Sequence, residues 1–437
     1  MKKYIALSAI SLGLISSVNI QASDNVSKMF SEGEVSGQIR AFYINRDDNT
    51  KADNQIGTAI GGHLKFETAE LNGLSLGTAF YTTNRIARGM EADVMGPNTT
   101  LFRNDGSSYS LLGEAYLQYK YENTVFKAGR QKLATPLAGA DDARMLPNLF
   151  EAYLVINKDV SNTTLIVGHV TKFAAGSFAN AYNGGIVGAT AGYSAVVGNT
   201  AKYQGEFTNM GTWAVGQKTD GVSVVSASYK KDNLKAQVWD YYAHDILNAI
   251  YADASISWKC LVSDKVKPTA SIQVIKEDSV GDEYAGNIDS LYWGAKVGAK
   301  AGALSGYVAY SQQSSATATT QLENSTITPW GGMPAYTQGM VTRHMLLSGV
   351  KATKVLTSYN FKDMGANLSA TAYYASFDMD NYSGYGTSRT AKESGFDIKY
   401  YPQSVENLQL RIRGNFPNDF GNGRDWNEYR FIANYTF

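Results

Sequence analysis

Apolar and polar residues alternate along most of this chain with a period of two rather than 3.6. In the last segment, 425–437, Tyr429 and Phe431 fall on one face, whereas Glu428 and Arg430 fall on the other. The same alternation occurs in residues 407–416, 253–260, 55–67 and 268–276. A period of two places successive side chains on opposite faces of a β-strand. The chain is therefore predicted to be all-β.

The connections between these segments alternate between short and long. About eighteen segments are expected, near 34–46, 55–68, 74–84, 109–122, 123–133, 150–159, 162–174, 222–231, 234–243, 249–260, 266–277, 289–300, 302–313, 343–356, 361–378, 392–402, 407–417 and 425–437. Long, polar connections follow many odd-numbered segments, which a soluble sandwich does not explain. We predict a closed antiparallel transmembrane β-barrel of about 18 strands, with short periplasmic turns and long extracellular loops.

The largest gap in the alternating pattern lies between residues 175 and 221. A structureless loop of this length is uncommon. The stretch either contains a further hairpin or folds back into the barrel mouth. A further hairpin would change the strand count by two.

The N-terminus has the layout of a secretory signal peptide. Two lysines precede an apolar stretch from Tyr4 to Val18, and Ala22 supplies the small residue at the expected cleavage position. Residues 1–22 are thus predicted to be a signal peptide, with a retained membrane anchor as the alternative, and residues 23–437 to form one barrel domain. No later apolar run reaches the roughly 20 residues that a spanning helix needs. A membrane-crossing mature chain would therefore be a closed barrel.

Composition and motifs narrow the function. The formal net charge is zero, which gives no reason to expect nucleic-acid binding. The 29 tyrosines and 42 glycines suit a β protein with tight turns and an aromatic girdle. The single Cys260 excludes an internal disulfide, and the four scattered histidines predict no metal or cofactor. The Gly-x-Ser-x-Gly pattern around Ser75 lies in a hairpin rather than at a strand-to-helix turn, so no enzyme is expected.

The chain resembles the OprD-type outer-membrane porins over nearly its whole mature length. The resemblance lies in GEVSGQIRAFYINR near the start, AGRQ followed by DDARMLPNLFEAYLV, and NEYRFIANY near the end. It implies a barrel that works as a monomer in substrate-selective diffusion. It also implies that the loop 134–149, with Asp141, Asp142 and Arg144, folds inward as a constriction. Family members have Asp-Ser-Arg there, whereas this chain has Ala143 in the middle, so no particular substrate is implied.

The resemblance further implies a ladder of basic side chains on the lumen wall, at Arg411, Arg413 and Arg430. The alternation independently places twelve basic residues on polar faces: Arg40, Lys65, Lys120, Lys235, Lys259, Lys296, Lys300, Lys351, Lys399, Arg411, Arg413 and Arg430. A lipid-facing Arg or Lys at the bilayer midplane costs roughly 2–4 kcal/mol, so these residues are expected to face the lumen. The predicted pore-lining ladder comprises Arg40, Lys296, Lys351, Lys399, Arg411, Arg413 and Arg430.

Two interpretations of these lumen charges stay open. Guanidinium groups bind carboxylates with two hydrogen bonds, so a series of them would pass carboxylate-bearing solutes from one position to the next. An acidic constriction loop facing this wall would add a transverse field. Alternatively, the charges pair with one another and hold the barrel and its loop in shape.

The first hypothesis is therefore a porin of the Gram-negative outer membrane that passes small hydrophilic solutes, carboxylate-bearing ones in particular, by diffusion. A general, weakly selective trimeric porin is the alternative, and a barrel enzyme or adhesin is less expected. Expected partners are the solutes, outer-membrane lipid and lipopolysaccharide, and the assembly machinery that reads the closing strand. The sequence does not distinguish between a monomer and a homotrimer.

Overall fold

The computed structural model describes residues 23–51, 54–86, 98–317, 321–421 and 423–437. The predicted signal peptide, residues 1–22, lies outside the described residues. Within them, strands predominate and the helices are short. None of the helices in these ranges is long and apolar enough to cross a membrane.

Within the described ranges, nineteen strands and four short α-helices follow one another. They are α1 (Val26–Ser31), β1 (Glu34–Asp48), β2 (Gln55–Glu67), β3 (Leu74–Arg85), β4 (Tyr109–Tyr121), β5 (Thr124–Gln131), β6 (Leu149–Asn157), β7 (Thr163–Ala174), α2 (Gly185–Thr190), α3 (Asn199–Tyr203), β8 (Thr208–Asn209), α4 (Met210–Val215), β9 (Val222–Lys231), β10 (Leu234–Ala243), β11 (Leu247–Ser257), β12 (Val266–Ser279), β13 (Asp289–Ala301), β14 (Leu304–Gln313), β15 (Lys351–Asn360), β16 (Leu368–Met379), β17 (Arg389–Tyr400), β18 (Leu408–Asn418) and β19 (Trp426–Thr436). Single 3₁₀ turns occur at Thr99–Leu101, Ser177–Ala181, His344–Leu346 and Phe361–Met364.

The sheet closes on itself because the last strand pairs with the first. β19 runs antiparallel to β1 from the pair Gln38–Thr436 to the pair Asp48–Trp426. Consecutive strands pair around the rest of the circle, and β9 pairs with β7. The barrel therefore has eighteen strands, β1 to β7 and β9 to β19, which confirms the predicted fold class. The two-residue β8 is an addition that pairs with Lys172 and Phe173 at the end of β7.

Apolar side chains cover the outer face of the barrel. Those more than half exposed include Leu64, Val167, Val225, Ile272, Val297 and Val355. In the closing strand Phe431 and Tyr435 point outward, whereas Glu428 and Arg430 are buried inside. A band of exposed apolar residues around a closed sheet is the surface that lipid covers. The alternation in the sequence thus reports which face meets lipid.

The two ends of the barrel differ, as predicted. Short turns join strands at one end, called the turn end, which also holds Ser23, the first described residue, and Phe437. Longer connections start from the other, called the loop end. We call residues 132–148 the constriction loop, residues 175–221 the helical loop and residues 314–350 the distal loop.

These three loops fold into the barrel and pack against one another. The helical loop carries α2, α3 and α4 rather than a further membrane-spanning hairpin, so it folds back into the barrel mouth. Trp213 in this loop donates its indole N–H to the carbonyl of Pro329 in the distal loop, 2.8 Å away. Phe178, Trp213 and Trp330 belong to one buried apolar cluster that also includes wall residues. The loops therefore share a core with the inner wall.

Two predicted strand boundaries were wrong. The strand expected at 343–356 begins only at Lys351, because residues 343–350 turn inward as part of the distal loop. Met345, Leu346 and Leu347 are completely buried there, so their apolar character reflects the loop core rather than a strand. The strand expected at 361–378 begins at Leu368, after the 3₁₀ turn Phe361–Met364.

Candidate functional site

Basic side chains from four neighbouring strands, β17, β18, β19 and β1, lie side by side on the inner wall. Lys399 on β17 is directly opposite Arg411 on β18, and Arg413 on β18 is opposite Arg430 on β19. Arg40 on β1 is opposite Asn434 on β19, to which its Nε donates a hydrogen bond of 2.8 Å. Closure of the barrel thus brings both ends of the chain to one basic wall.

Arg411 and Arg413 share one carboxylate, that of Asp397. The Nε of Arg411 donates to Oδ1 of Asp397 at 2.7 Å, and its Nη2 donates to Oδ2. The Nε of Arg413 lies 3.7 Å from Oδ2. Lys399, half-buried beside them, has no hydrogen-bond or ion-pair partner among the residues that the structure describes. This part of the wall, from Asp397 to Arg413, therefore has three cations and one anion facing the lumen.

Arg430 instead belongs to a buried network centred on Glu428. The carboxylate of Glu428 accepts hydrogen bonds from Arg430 at 2.6 Å, from Arg144 at 3.0 Å and from Arg46 at 2.6 and 2.8 Å. Glu428 is fully buried and Arg430 is 1% exposed. The network joins β1, β19 and the constriction loop. Its position indicates that Arg144 and Arg430 hold the loop and the wall together.

The constriction loop is attached to the basic wall through Asp142. Arg40 donates to Oδ1 of Asp142 at 2.7 Å and also to the carbonyl oxygen of Arg144. Burial alone would raise the pKa of Asp142, but the charges of Arg40, Lys132 and His63 outweigh it and lower the pKa. Asp142 is thus a carboxylate bonded to the wall, not one that faces the wall across the pore. The transverse electric field that was expected between an acidic constriction loop and the basic wall therefore does not arise across the pore at Asp142.

Asp141 connects the constriction loop to the distal loop. Its Oδ1 accepts from the backbone N–H of Gly332 at 3.3 Å, and Oδ2 lies 3.6 Å from a guanidinium nitrogen of Arg343. Burial raises the pKa of Asp141, although Arg343 acts in the opposite direction. Asp141 therefore holds two loops together, as the pairing interpretation of the sequence anticipated.

The remaining predicted ladder residues, Lys296 and Lys351, lie away from this wall. Lys296 on β13 faces the lumen with its Nζ 4.1 Å from the ring centre of Tyr336 in the distal loop. Lys351 points outward with Thr353 and Val355 at the loop end, so the prediction that it lines the lumen was wrong. The strand starts later than predicted, and Lys354 is its inward-facing lysine; Lys354 donates to the carbonyl of Gln338.

Two buried acceptors of the inner wall were missed in the sequence. Glu393 on β17 is fully buried and accepts the backbone N–H groups of Met340 and Thr342 at 2.7 and 2.6 Å. Glu277 on β12 accepts from the N–H of Ile327 at 2.8 Å. Both hold the distal loop against the wall. Alternation places both on inward faces, but only the folded loop supplies their partners.

Metal binding has no support in the described ranges. No group of three or more His, Cys, Asp or Glu side chains there is arranged to hold a metal ion. His169 and His244 both contact the hydroxyl of Ser223, at 3.1 and 3.0 Å, but this pair lies on the outer face of the barrel.

Comparison with known proteins agrees with this architecture. Residues 28–437 match the model of a family described as outer membrane porin, OprD family. Three of the solved structures with a similar fold serve as examples. They are OpdK of Pseudomonas aeruginosa, crystallised with vanillate (16% identity, TM-score 0.74, 94% of this chain and 99% of that chain), OccK9 (OpdG) of the same organism (19%, 0.74, 94% and 99%) and OccAB3 of Acinetobacter baumannii (15%, 0.75, 93% and 99%). No curated protein matches the chain.

Proposed function

Because the chain belongs to the OprD family of outer-membrane porins, we propose that its lumen wall favours small solutes that carry a carboxylate. As a member of this family it is a porin of the Gram-negative outer membrane through which small solutes diffuse. The family is one of channels, not of enzymes.

The observation that carries the proposal is the excess of positive charge around Asp397. Lys399, Arg411 and Arg413 face the lumen there, and one carboxylate balances only one of the three cations. Arg411 holds Asp397 with Nε and Nη2 on separate oxygens, the two-bond geometry that a guanidinium group offers to any carboxylate. A solute carboxylate at Lys399 or Arg413 would find cations that Asp397 does not neutralise.

One structural relative gives this proposal limited chemical support. OpdK was crystallised with vanillate, a small aromatic acid. The identity to that chain is 16%, so the likeness itself concerns the fold. The support for this chain comes from its own unbalanced cations, and vanillate serves here as a convenient test solute.

A single chain supplies every part of the proposed pathway. The constriction loop is attached to the wall of its own barrel through Arg40–Asp142 and Arg144–Glu428. We therefore propose that a monomer forms a complete pore, although association into trimers would leave this pathway intact. The apolar outer face is expected to contact membrane lipid, with lipopolysaccharide at the loop end. The closing strand, which is followed by the terminal Phe437, is expected to be read by the assembly machinery.

The experiment is single-channel recording of the purified barrel in a planar bilayer, with the double variant Lys399→Gln/Arg411→Gln. Asp397 still has Arg413 as an ion-pair partner in this variant, so the substitutions leave no carboxylate of this wall without a cation. The anion-to-cation permeability ratio should fall by about two- to fivefold. Vanillate should block the wild-type current at concentrations at which uncharged vanillyl alcohol does not.

The control is Lys392→Gln, which removes an exposed, outward-facing lysine from the same strand β17. Its permeability ratio should match that of the wild type. An unchanged ratio in the double variant would contradict the proposed role of this wall. Equal effects of vanillate and vanillyl alcohol would favour a general, weakly selective porin.

A further inference from the structure

Five lysines face the lumen at the turn end, on a part of the wall remote from the basic residues described above. We call them the lysine collar: Lys230, Lys235, Lys259, Lys267 and Lys300. They lie at or just beyond the ends of neighbouring strands from β9 to β13. On each strand they share a face with buried inward residues, such as Tyr292 above Lys300 and Ile275 above Lys267. All five side chains are exposed to solvent.

The strand register places these lysines directly beside one another. Lys230 is the cross-strand partner of Lys235, and Lys267 is the partner of Lys300. The pairing of β11 with β12 continues past Ser257, because Trp258 N–H donates to the carbonyl of Pro268 and Cys260 N–H to that of Val266. Lys259 is therefore opposite Lys267.

Lys259, Lys267 and Lys300 thus form a row across three adjacent strands, spaced by about 4.8 Å per strand. Like charges directly opposite each other on adjacent strands are destabilising. None of the five collar lysines makes an ion pair or side-chain hydrogen bond with any residue that the structure describes. Residues 230–235, 259–267 and 300 together carry seven lysines and only two aspartates, a net charge of +5.

The opposite wall of the turn end carries acidic residues. Glu34 on β1 is the cross-strand partner of Glu67 on β2, and both face the lumen. In a closed barrel of eighteen strands, strands nine positions apart lie across the lumen from each other. β11 and β12 are nine positions from β1 and β2, so the collar faces Glu34 and Glu67. Lys65 pairs with Glu67 at 3.0 Å, whereas the collar has no such neutralisation.

From this arrangement we infer that the lysine collar is a binding site for small multivalent anions, such as solutes with two or three carboxylates, at the turn-end mouth. Three ammonium groups in a row can bind separate carboxylates of one solute, which a single cation cannot do. Membrane lipid does not compete, because the collar side chains point into the lumen.

This site goes beyond the proposed function because it uses a different wall and a different end of the barrel. The collar would hold a multivalent anion at the mouth even if the wall at Arg411 showed no carboxylate preference. Binding there should appear as a block of the current that depends on the side of addition. A multivalent anion added at the turn end reaches the collar first, without passing the three inward-folded loops.

The test is single-channel recording of the full-length mature barrel with citrate added to one side at a time, and inorganic phosphate as a second probe. Citrate should block from one side at a lower concentration than from the other. The variant Lys259→Gln/Lys267→Gln should raise the half-blocking citrate concentration from that side by about tenfold. Conductance in potassium chloride alone should change much less.

Lys362→Gln is the matched control, because this lysine lies in the turn-end connection between β15 and β16, away from the collar. Its block by citrate should equal that of the wild type. Block that is equal from both sides, or unchanged in the collar variant, would overturn the inference. Loss of block in Lys399→Gln/Arg411→Gln but not in the collar variant would assign the anion to the other wall. If the wild-type channel showed no carboxylate preference while the collar still bound citrate, only the proposed function would be contradicted.

Discussion

Replacement of Glu428 by Gln tests whether the buried arginine network holds the constriction loop. Glu428 is the common acceptor for Arg46, Arg144 and Arg430 at 2.6–3.0 Å, and it is fully buried. The Gln side chain has nearly the same shape but no charge. One of its two oxygen positions becomes an NH₂ group, which would face guanidinium donors.

The expected cost follows from the burial of these groups. Removal of one partner of a buried ion pair typically costs 3–5 kcal/mol, because an uncompensated charge stays buried. Glu428 serves three guanidinium groups, so we expect Glu428→Gln to reduce the free energy of unfolding by about 4 kcal/mol. Part of this loss should appear as a looser constriction loop, since Arg144 would lose its only carboxylate partner among the described residues.

The assay is reversible urea unfolding in lipid vesicles, followed by tryptophan fluorescence, together with single-channel current noise. Glu406→Gln is the control, since Glu406 is exposed at the turn end between β17 and β18. This control should unfold within about 0.5 kcal/mol of the wild type. Glu428→Gln should also show larger current fluctuations than either protein.

A double-mutant cycle sharpens the result. Arg144→Met in the Glu428→Gln background removes one of the cations that the first substitution leaves unpaired. The double variant should therefore lose less stability than the sum of the losses in the two single variants, by about 1–3 kcal/mol. If Glu428→Gln unfolded with the wild-type midpoint, or if the two losses were simply additive, the reasoning from buried charge would be refuted.

Two further predictions concern the inward-folded loops. Burial lowers the pKa of His344 to about 4, although the hydrogen bond between its Nε2 and the carbonyl of Phe420 acts in the opposite direction. The ring is therefore neutral at pH 7 in the folded loop. In the unfolded loop the ring binds a proton below about pH 6.5, so the stability of the folded loop should be greatest above that pH. It should fall by up to about 3 kcal/mol as the pH drops to 4. Hydrogen exchange of the distal loop that did not change with pH would contradict this. Trp213→Ala should remove about 3–5 kcal/mol of packing energy from the loop core, together with the hydrogen bond to Pro329. Because the loops then hold together less tightly in the lumen, single-channel conductance should increase. An unaltered conductance would show that this core does not narrow the pore.

Much of the fold was predictable because a barrel strand is a local pattern. Side chains alternate between lipid and lumen, so the period of two indicated nearly every strand, and the long loops marked one end. The closing strand was predictable for the same reason, since a membrane barrel can leave no unpaired edge. Prediction failed at residues 343–350, where apolar side chains such as Met345 and Leu346 pack into a loop core and have no strand period.

The lumen chemistry was predictable only in part. Alternation identified Arg40, Arg411 and Arg430 as inward residues, because the face of a strand residue depends on its own position alone. Alternation could not separate Arg411, which lies near water, from Arg430, which is buried against Glu428. That difference depends on where the constriction loop comes to rest.

The amino-acid sequence by itself thus determined the closed barrel, its outer-membrane location and the inward basic faces. Only the tertiary structure decided that Asp142 is bonded to Arg40, that Lys351 points outward and that the helical loop fills the mouth. It also placed the lysine collar across the lumen from Glu34 and Glu67. The physical reason is that face and period are set by neighbours along the chain, whereas charge pairing and opposition are set by closure of the barrel and the path of its loops.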